Sequence, residues 1–381
     1  MTGSDARFVI VGGGLAGVYA AYELERQGIR DYVLLEARGE LGGRIQSRSP
    51  APGIQSTADS PVAHDRFDLG PTWFWPALQP ELDQLVTDLG LERFAQFETG
   101  DMVFERSPNE RPVRSHGYSS SPSSMRLVGG MTVLVEALRR RLAGGRFLMD
   151  CRVLELRCEG QHVNVVSVDA AGGLHSLRVD QALLAVPPRL AQESIRFSPE
   201  LPASLSRRWR DTGTWMAPHA KYVAVYGNPF WRDQGLSGEA RSARGPLGEI
   251  HDATMPGGSA ALFGFFGVPA SVRRGVSEDV LLSHCRAQLA RLFGPEAASP
   301  RAEFIKDWAQ DELTAASGDL AAPAGHASAP AALPSGGDWQ GRIVGVASEW
   351  SPQFPGYVAG AIEAARIGVQ SVLHSRPFPI A

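Results

Sequence analysis

Residues 8–44 read FVIVGGGLAGVYAAYELERQGIRDYVLLEARGELGGR, and the fold turns on them. Phe8-Val9-Ile10-Val11 is a short apolar run, β-branched enough for a strand buried on both faces. Gly12, Gly14 and Gly17 follow in the order G-x-G-x-x-G. Leu15, Val18, Ala21 and Leu24 then recur at helical spacing, and Gly28 predicts the stop. A second apolar run, Tyr32 to Leu35, ends on Glu36. Each part has a mechanical reason in a dinucleotide-binding βαβ unit. Gly12 permits the tight turn, Gly14 lets the backbone approach a pyrophosphate, and Gly17 lets the helix pack on the strand. Leu15 and Ala16 open a helix whose free N–H groups and positive dipole end face the phosphates. Glu36, nineteen residues beyond Gly17, stands where a carboxylate accepts both ribose hydroxyls.

The next residues choose the dinucleotide. Ala37, Arg38 and the pair Gly42-Gly43 lead to Arg44, a second glycine-rich turn carrying a cation. A nicotinamide fold rarely needs one; a larger, permanently held cofactor does, to neutralise its pyrophosphate from a second side. The stretch EARGELGGRI resembles the N-terminal signature of the flavin-containing amine oxidase family, relatives of monoamine oxidase and polyamine oxidase. The resemblance implies FAD rather than NAD, with Gly43 and Arg44 in its binding set.

Working outward, residues 49–61 read as an exposed loop from their Pro, Ser and Gly content. Phe67-Asp68-Leu69-Gly70-Pro71-Thr72-Trp73 is similar to a family segment whose backbone passes the flavin ring, which implies that Gly70, Pro71, Thr72 and Trp73 line it. Leu82, Leu85, Val86 and Leu89 predict a helix over 80–92 closed by Gly90. Residues 105–124 lack periodicity and read as a mobile loop, and Arg126 to Met131 opens a helix through Leu134, Leu138 and Leu142. Monoamine oxidases carry a long helical insertion in this interval that roofs the substrate cavity. Here the roof is missing or reduced, consistent either with a wide, open site or with one closed by another chain, a second copy included. Cys151 to Val179 alternates with period two, a β-meander, and Ala182 to Pro188 reads as a separate buried strand. The resemblance sets Val153 against the adenine. Arg207-Arg208-Trp209-Arg210 reads as a solvated helix face.

Lys221 lies on an alternating strand ten positions before Trp231 of the sequence Pro229-Phe230-Trp231. That offset matches the family lysine that reaches flavin N5 through a water. An ammonium in so apolar a run needs a partner or a job. Residues 277–293 form an amphipathic helix from Ser277 to Gly294-Pro295. After Trp308, Ser317 stands where covalent family members attach flavin through cysteine, and Gly318 where one aromatic cage wall stands. The resemblance therefore implies non-covalent FAD and an incomplete cage. Residues 321–337 read as a surface loop. Ile343 to Glu349 resembles the family strand whose glutamate binds the ribityl or pyrophosphate region, and Gly356-Tyr357-Val358 the closing motif under the flavin N1–C2=O edge. The resemblance implies that Tyr357 is the surviving cage wall.

The expected fold class is α/β: a Rossmann-type, glutathione reductase-like FAD-binding domain over 1–78, 126–208 and 338–381, with an α+β substrate domain of amine oxidase type over 79–125 and 209–337, its helical roof reduced. A chain of 381 residues, 43% apolar and 20% charged, suits two globular domains. A net charge of -4 invites neither nucleic acid nor an anionic membrane. The cysteines 151, 158 and 285 form neither a CxxC pair nor a metal-ligand spacing, so no metal and a cytoplasmic location are expected. A strand beginning near residue 7 predicts no signal peptide, and no apolar stretch or C-terminal tail predicts a membrane anchor. The implied activity is oxidation of a small-molecule amine by FAD and O2, with Lys221 and Tyr357 as catalytic residues. A flavin desaturase or C–C dehydrogenase of the same superfamily and a non-catalytic FAD-binding protein are the alternatives.

Overall fold

The computed structural model describes residues 5–50, 65–320 and 328–374. The expected loop at 49–61 lies outside these residues from 51 onward, as do residues 321–327 of the loop expected at 321–337. The described chain divides into two units, residues 1–44, 134–217 and 312–381 in one and residues 45–133 and 218–311 in the other. Against the expected partition, residues 45–78 and 126–133 group with the second unit, and 209–217 and 312–337 with the first. The reason is packing: Phe67 and Leu69 belong to a cluster with Val223, Val225, Met255 and Phe263.

The first unit is built on an eight-stranded sheet. Its parallel part sets Arg146–Leu148, Tyr32–Leu35, Ala6–Val11 and the end of Leu174–Leu184 side by side, with Ile343–Gly345 also beside the last. The strands Ala6–Val11 and Tyr32–Leu35 are almost wholly buried, as their unbroken apolar runs require. The meander forms as expected over Cys151–Glu159, His162–Asp169 and Leu174–Leu184. Its last strand corrects the sequence reading: Ala182 to Leu184 is no separate strand but the buried end of one that starts exposed at Leu174. The first half of that strand pairs antiparallel with the meander and the second half parallel with Ala6–Val11, so one strand joins two sheet types. The helices Leu15–Arg26 and Val358–His374 pack on each other. Arg207, Arg208 and Arg210 lie on the exposed face of the helix Ala203–Asp211, whose Trp209 is buried.

The second unit is organised by a seven-stranded sheet in the order Ala302–Asp307, Ala220–Tyr226, Ala260–Phe266, Leu247–Asp252, Leu236–Ser242, Asp101–Glu105, Val113–His116. The interval 105–124 is thus no bare loop: Val113–His116 pairs antiparallel with Asp101–Glu105 at the sheet edge. Its four residues are all exposed, and a strand with no buried face leaves no hydrophobic period to read. One face of the sheet carries Tyr222, Ala224, Leu262, Ile250 and Ala240 against Leu281, Cys285 and Leu289 of the helix Glu278–Phe293. The other carries Val223, Val225, Ala261 and Phe263 against Phe67 and Leu69.

Candidate active site

In the first unit, the residues predicted for the cofactor gather at the C-terminal ends of the parallel strands. Gly12 has φ +104°, and a Cβ there would stand 2.9 Å from the Ala185 carbonyl oxygen. A Cβ on Gly17 would stand 2.0 Å from the Gly12 carbonyl oxygen, so the helix–turn contact excludes any side chain. Gly14 caps the helix that Leu15, Ala16 and Gly17 begin, and among the described residues no side-chain cap bond is made there. The second glycine turn lies against the first, with Gly42 N–H on the Gly13 carbonyl at 2.9 Å and a bridge between Gly14 and Gly42. A Cβ on Gly43 would approach Gly14 Cα at 3.2 Å.

Glu36 is buried and accepts the Gly13 N–H at 2.6 Å and the Arg38 N–H at 2.8 Å. It therefore shapes both turns around Ala37, besides offering lone pairs outward. Cys151 N–H donates to the Glu36 carbonyl at 2.8 Å, and Val153 lies two residues further along that strand. Arg38 donates to Thr314 Oγ1 at 3.3 Å, a partner that sequence reading missed. Arg44 forks onto Glu349 through Nη1 at 2.5 Å and Nη2 at 3.0 Å, and reaches Ser348 Oγ at 3.2 Å. Two predicted residues some three hundred positions apart are thus one bidentate pair, a geometry only the planar guanidinium offers. Tyr357 is half-buried in the turn before Val358, which starts the last helix. Gly318 lies near the Arg189 guanidinium, which pairs with buried Asp319 at 2.5 Å; no ring occupies that position.

Glu36→Gln keeps one acceptor and loses the charge. It is expected to weaken FAD binding about 10-fold, since charge-assisted bonds to N–H groups are roughly twice as strong as neutral ones. Fluorescence titration of the apoprotein checks it.

In the second unit, the strand Ala220–Tyr226 does not alternate between core and solvent: all seven residues are buried. It is central rather than an edge, and both sheet faces are covered. Lys221 is 1% exposed, with Nζ on the Gly70 carbonyl at 3.1 Å and on Thr72 Oγ1. Nζ also lies over the rings of Phe263 at 4.1 Å and Phe265 at 5.4 Å. Burial pushes its pKa down to about 7; buried Asp68 opposes the shift and Arg126 adds to it. Burial likewise pushes Asp68 up, against the pull of Lys221 and a 2.6 Å bond from Ser47. Asp68 also caps the helix entry by accepting the Met131 N–H at 2.8 Å.

The segment 69–73 is pinned along its length. Trp308 Nε1 donates to the Leu69 carbonyl at 3.0 Å, Lys221 holds Gly70 and Thr72, and Trp73 Nε1 donates to Gln96 at 2.8 Å. Trp73 meets His251 edge-on at 4.9 Å. Arg126 is buried, spans the carbonyls of Ala253 and Thr254, and lies over Phe94 at 4.9 Å. Asp68, Gln96, Arg126 and His251 were not among the predicted site residues. Only Asp68 and Arg126 carried a signal, each lying inside a stretch already singled out for its motif.

Gly14 tests whether the first unit fits a dinucleotide. Its φ of -67° and ψ of 177° suit any residue, and a Cβ would meet nothing closer than 3.8 Å. The chain's own packing does not demand glycine there; a pyrophosphate lying against that backbone does. With the uncapped helix start and the Arg44–Glu349 pair, the arrangement defines a dinucleotide-dependent oxidoreductase. A family described as flavin containing amine oxidoreductase matches residues 105–373, and an NAD(P)-binding Rossmann-like domain matches residues 10–89. The chain belongs to the flavin containing amine oxidoreductase family. It is 23% identical to a probable flavin-containing monoamine oxidase A of Dictyostelium discoideum, over 93% of this chain and 95% of that one. It is 29% identical to a putrescine oxidase of Kocuria rosea, over 84% of this chain and 86% of that one. In structure it is similar to a putrescine oxidase bound to putrescine, with TM-score 0.77 and 20% identity over 97% of this chain and 99% of that one. Cyclohexylamine oxidase of Brevibacterium oxydans gives TM-score 0.77 at 19% identity with the same coverage. These structural likenesses establish the fold. The protein is an FAD-dependent oxidoreductase acting on amines, its FAD held non-covalently, with no cysteine between Trp308 and Glu349. Among the described residues no helix is long and apolar enough to cross a membrane.

Proposed function

We propose that the protein oxidises the C–N bond of a small amine, releasing an imine that water hydrolyses. FAD, when bound, would supply a two-electron acceptor for the hydride leaving the α-carbon and would pass the electrons to O2, giving hydrogen peroxide. The overall balance is amine, O2 and water giving carbonyl, ammonia and peroxide. Gly12, Gly14, Gly17, Glu36 and Arg44 would hold the dinucleotide, with Glu349 fixing the Arg44 fork. The positive end of the helix Val358–His374 would stabilise negative charge developing on the reduced ring of a bound flavin. Tyr357 walls the substrate. Lys221 would hold a water for the bound flavin and would help O2 react.

The observation that carries this reading is the burial of Lys221 against Gly70 and Thr72, on the segment predicted to pass the flavin. Desolvating a lysine to a pKa near 7 costs the fold stability, and such strain concentrates at working sites. A peroxide-release screen across amines, amino acids and polyamines, with anaerobic bleaching of the flavin, tests it. Bleaching by amines is the expected result. Bleaching by alkenes or porphyrin precursors alone would replace amine oxidation with C–C dehydrogenation.

A further inference from the structure

In the sheet of the first unit, Ala6–Val11 lies between Tyr32–Leu35 and the end of Leu174–Leu184. The turn from Gly12 to Gly17 and the start of its helix therefore open at the middle of three strand ends. A later segment of the chain touches both flanks of that opening. On the Tyr32–Leu35 side, Thr314 Oγ1 accepts from Arg38, whose guanidinium also stands 3.9 Å from Glu36. On the other side, Asp319 pairs at 2.5 Å with Arg189 of the helix Pro188–Ser194, which follows the strand Leu174–Leu184. Glu312 enters the segment 3.9 Å from Arg152, the neighbour of Val153, in an exposed pair that contributes little. Adjacent strands stand about 4.8 Å apart, so the two flanking strands are roughly 10 Å apart. The chain from Thr314 to Asp319 reaches about 17 Å when extended, enough to pass over a group bound between them.

The two ends are held unequally. Asp319 is buried, and its carboxylate is used up within the protein. Oδ1 accepts from Arg189 and from the Thr214 N–H at 2.9 Å, and Oδ2 accepts from the Ala316 N–H at 3.0 Å. Arg189 donates further to the carbonyls of Arg210 at 2.7 Å and Asp211 at 3.3 Å. Ser317 adds exposed bonds from its N–H and hydroxyl to Glu193, at 3.2 and 3.1 Å. Thr314 holds its own end through a 3.3 Å bond from a guanidinium. Parting a buried, hydrogen-bonded ion pair costs far more than parting a neutral acceptor from an arginine, so the Thr314 end opens first.

We propose that residues 312–319 form a strap across the nucleotide, latched by Arg189 and Asp319, and that Thr314 is a positioning residue that closes the strap over FAD through Arg38. The latch makes no demand on the ligand, since both oxygens of Asp319 are already engaged. Retention of FAD then depends on the Thr314 end, where the guanidinium lies between the strap and the Glu36 carboxylate. The proposal rests on the reading of this crevice as the FAD site.

The test compares wild type, Thr314→Val and Thr314→Ser, each as holoenzyme and as stripped apoprotein. Valine keeps the shape of the side chain and loses the acceptor; serine keeps the acceptor. Thr314→Val should release FAD about 10-fold faster, read from the recovery of flavin fluorescence. Its FAD association rate should stay within about two-fold of wild type and its apoprotein melting temperature within about 2 °C. Thr314→Ser should release FAD at close to the wild-type rate, which a merely space-filling role would not require. In hydrogen exchange, FAD should slow residues 312–316 in wild type and Thr314→Ser but not in Thr314→Val, while 317–319 stay protected in all three apoproteins. Unchanged release in Thr314→Val, exchange over 312–316 indifferent to FAD, or faster release only in step with a lowered apoprotein melting temperature overturns the strap while FAD binding stands. A wild-type apoprotein that takes up no FAD overturns the assignment of the crevice, and the strap with it.

Discussion

Lys221→Met is expected to slow the reaction of the reduced enzyme with O2 on the order of 100-fold or more, while FAD content stays at the wild-type level. Methionine fills similar volume but cannot hold a water or carry charge, so stopped-flow mixing with oxygen isolates the loss. Unchanged oxygen kinetics would remove the role. Stability should move differently. The folded-state pKa of Lys221 is lowered from 10.5 to about 7, so between those values the unfolded chain binds more protons and wild-type stability rises with pH. Below about pH 7 the fold bears the full cost of charging this lysine, a few kcal/mol by linkage. Methionine removes that cost, but it also removes donors to Gly70 and Thr72 and the counter-charge to Asp68. The variant should therefore compare best with wild type at about pH 6 and worst at about pH 10. Melting curves at the two pH values check the sign; a difference that does not fall with pH would mean that the lysine is not desolvated.

What the sequence revealed, and what it hid, follows from how locally each feature is determined. The turn from Gly12 to Gly17, the acid at Glu36 and the helix stop at Gly28 are set by neighbours within one βαβ unit, and all stand where expected. The meander was visible because its inward residues alternate, as in Val163 and Val165. The Ala220–Tyr226 strand was read as alternating because Lys221 is charged; two covered faces erase the period and leave the ammonium buried. The Val113–His116 strand was hidden for the opposite reason, having neither face covered. At the site, residues inside recognisable motifs were legible, including both halves of the Arg44–Glu349 pair. His251 was not, because strand register sets it opposite Phe263 and no local pattern records which strands will be neighbours.

Gly14→Ala and Gly17→Ala should separate cofactor binding from folding, although both change one hydrogen to methyl in the same turn. At Gly17 the methyl would lie 2.0 Å from the Gly12 carbonyl oxygen and 3.2 Å from Ala185 Cβ. Neither neighbour is the loose end of a flexible side chain, and Gly12 is itself held at φ +104° under the Ala185 carbonyl. The helix must move off the strand, a loss of roughly 3 kcal/mol or more, so the apoprotein melts several degrees lower or fails to fold. At Gly14 the backbone angles are ordinary, and the methyl meets nothing within 3.8 Å. There the apoprotein should stay within about 1 kcal/mol of wild type, the small N-cap preference for glycine offsetting the entropy gain of alanine. FAD affinity should nonetheless fall on the order of 100-fold, because the methyl occupies the space the pyrophosphate needs and lifts it from the helix N–H groups. Apoprotein melts, together with the flavin-to-protein absorbance ratio after gel filtration, read the two effects independently. A Gly14→Ala protein that keeps its full complement of FAD would show that the open space beside Gly14 is not where the dinucleotide lies.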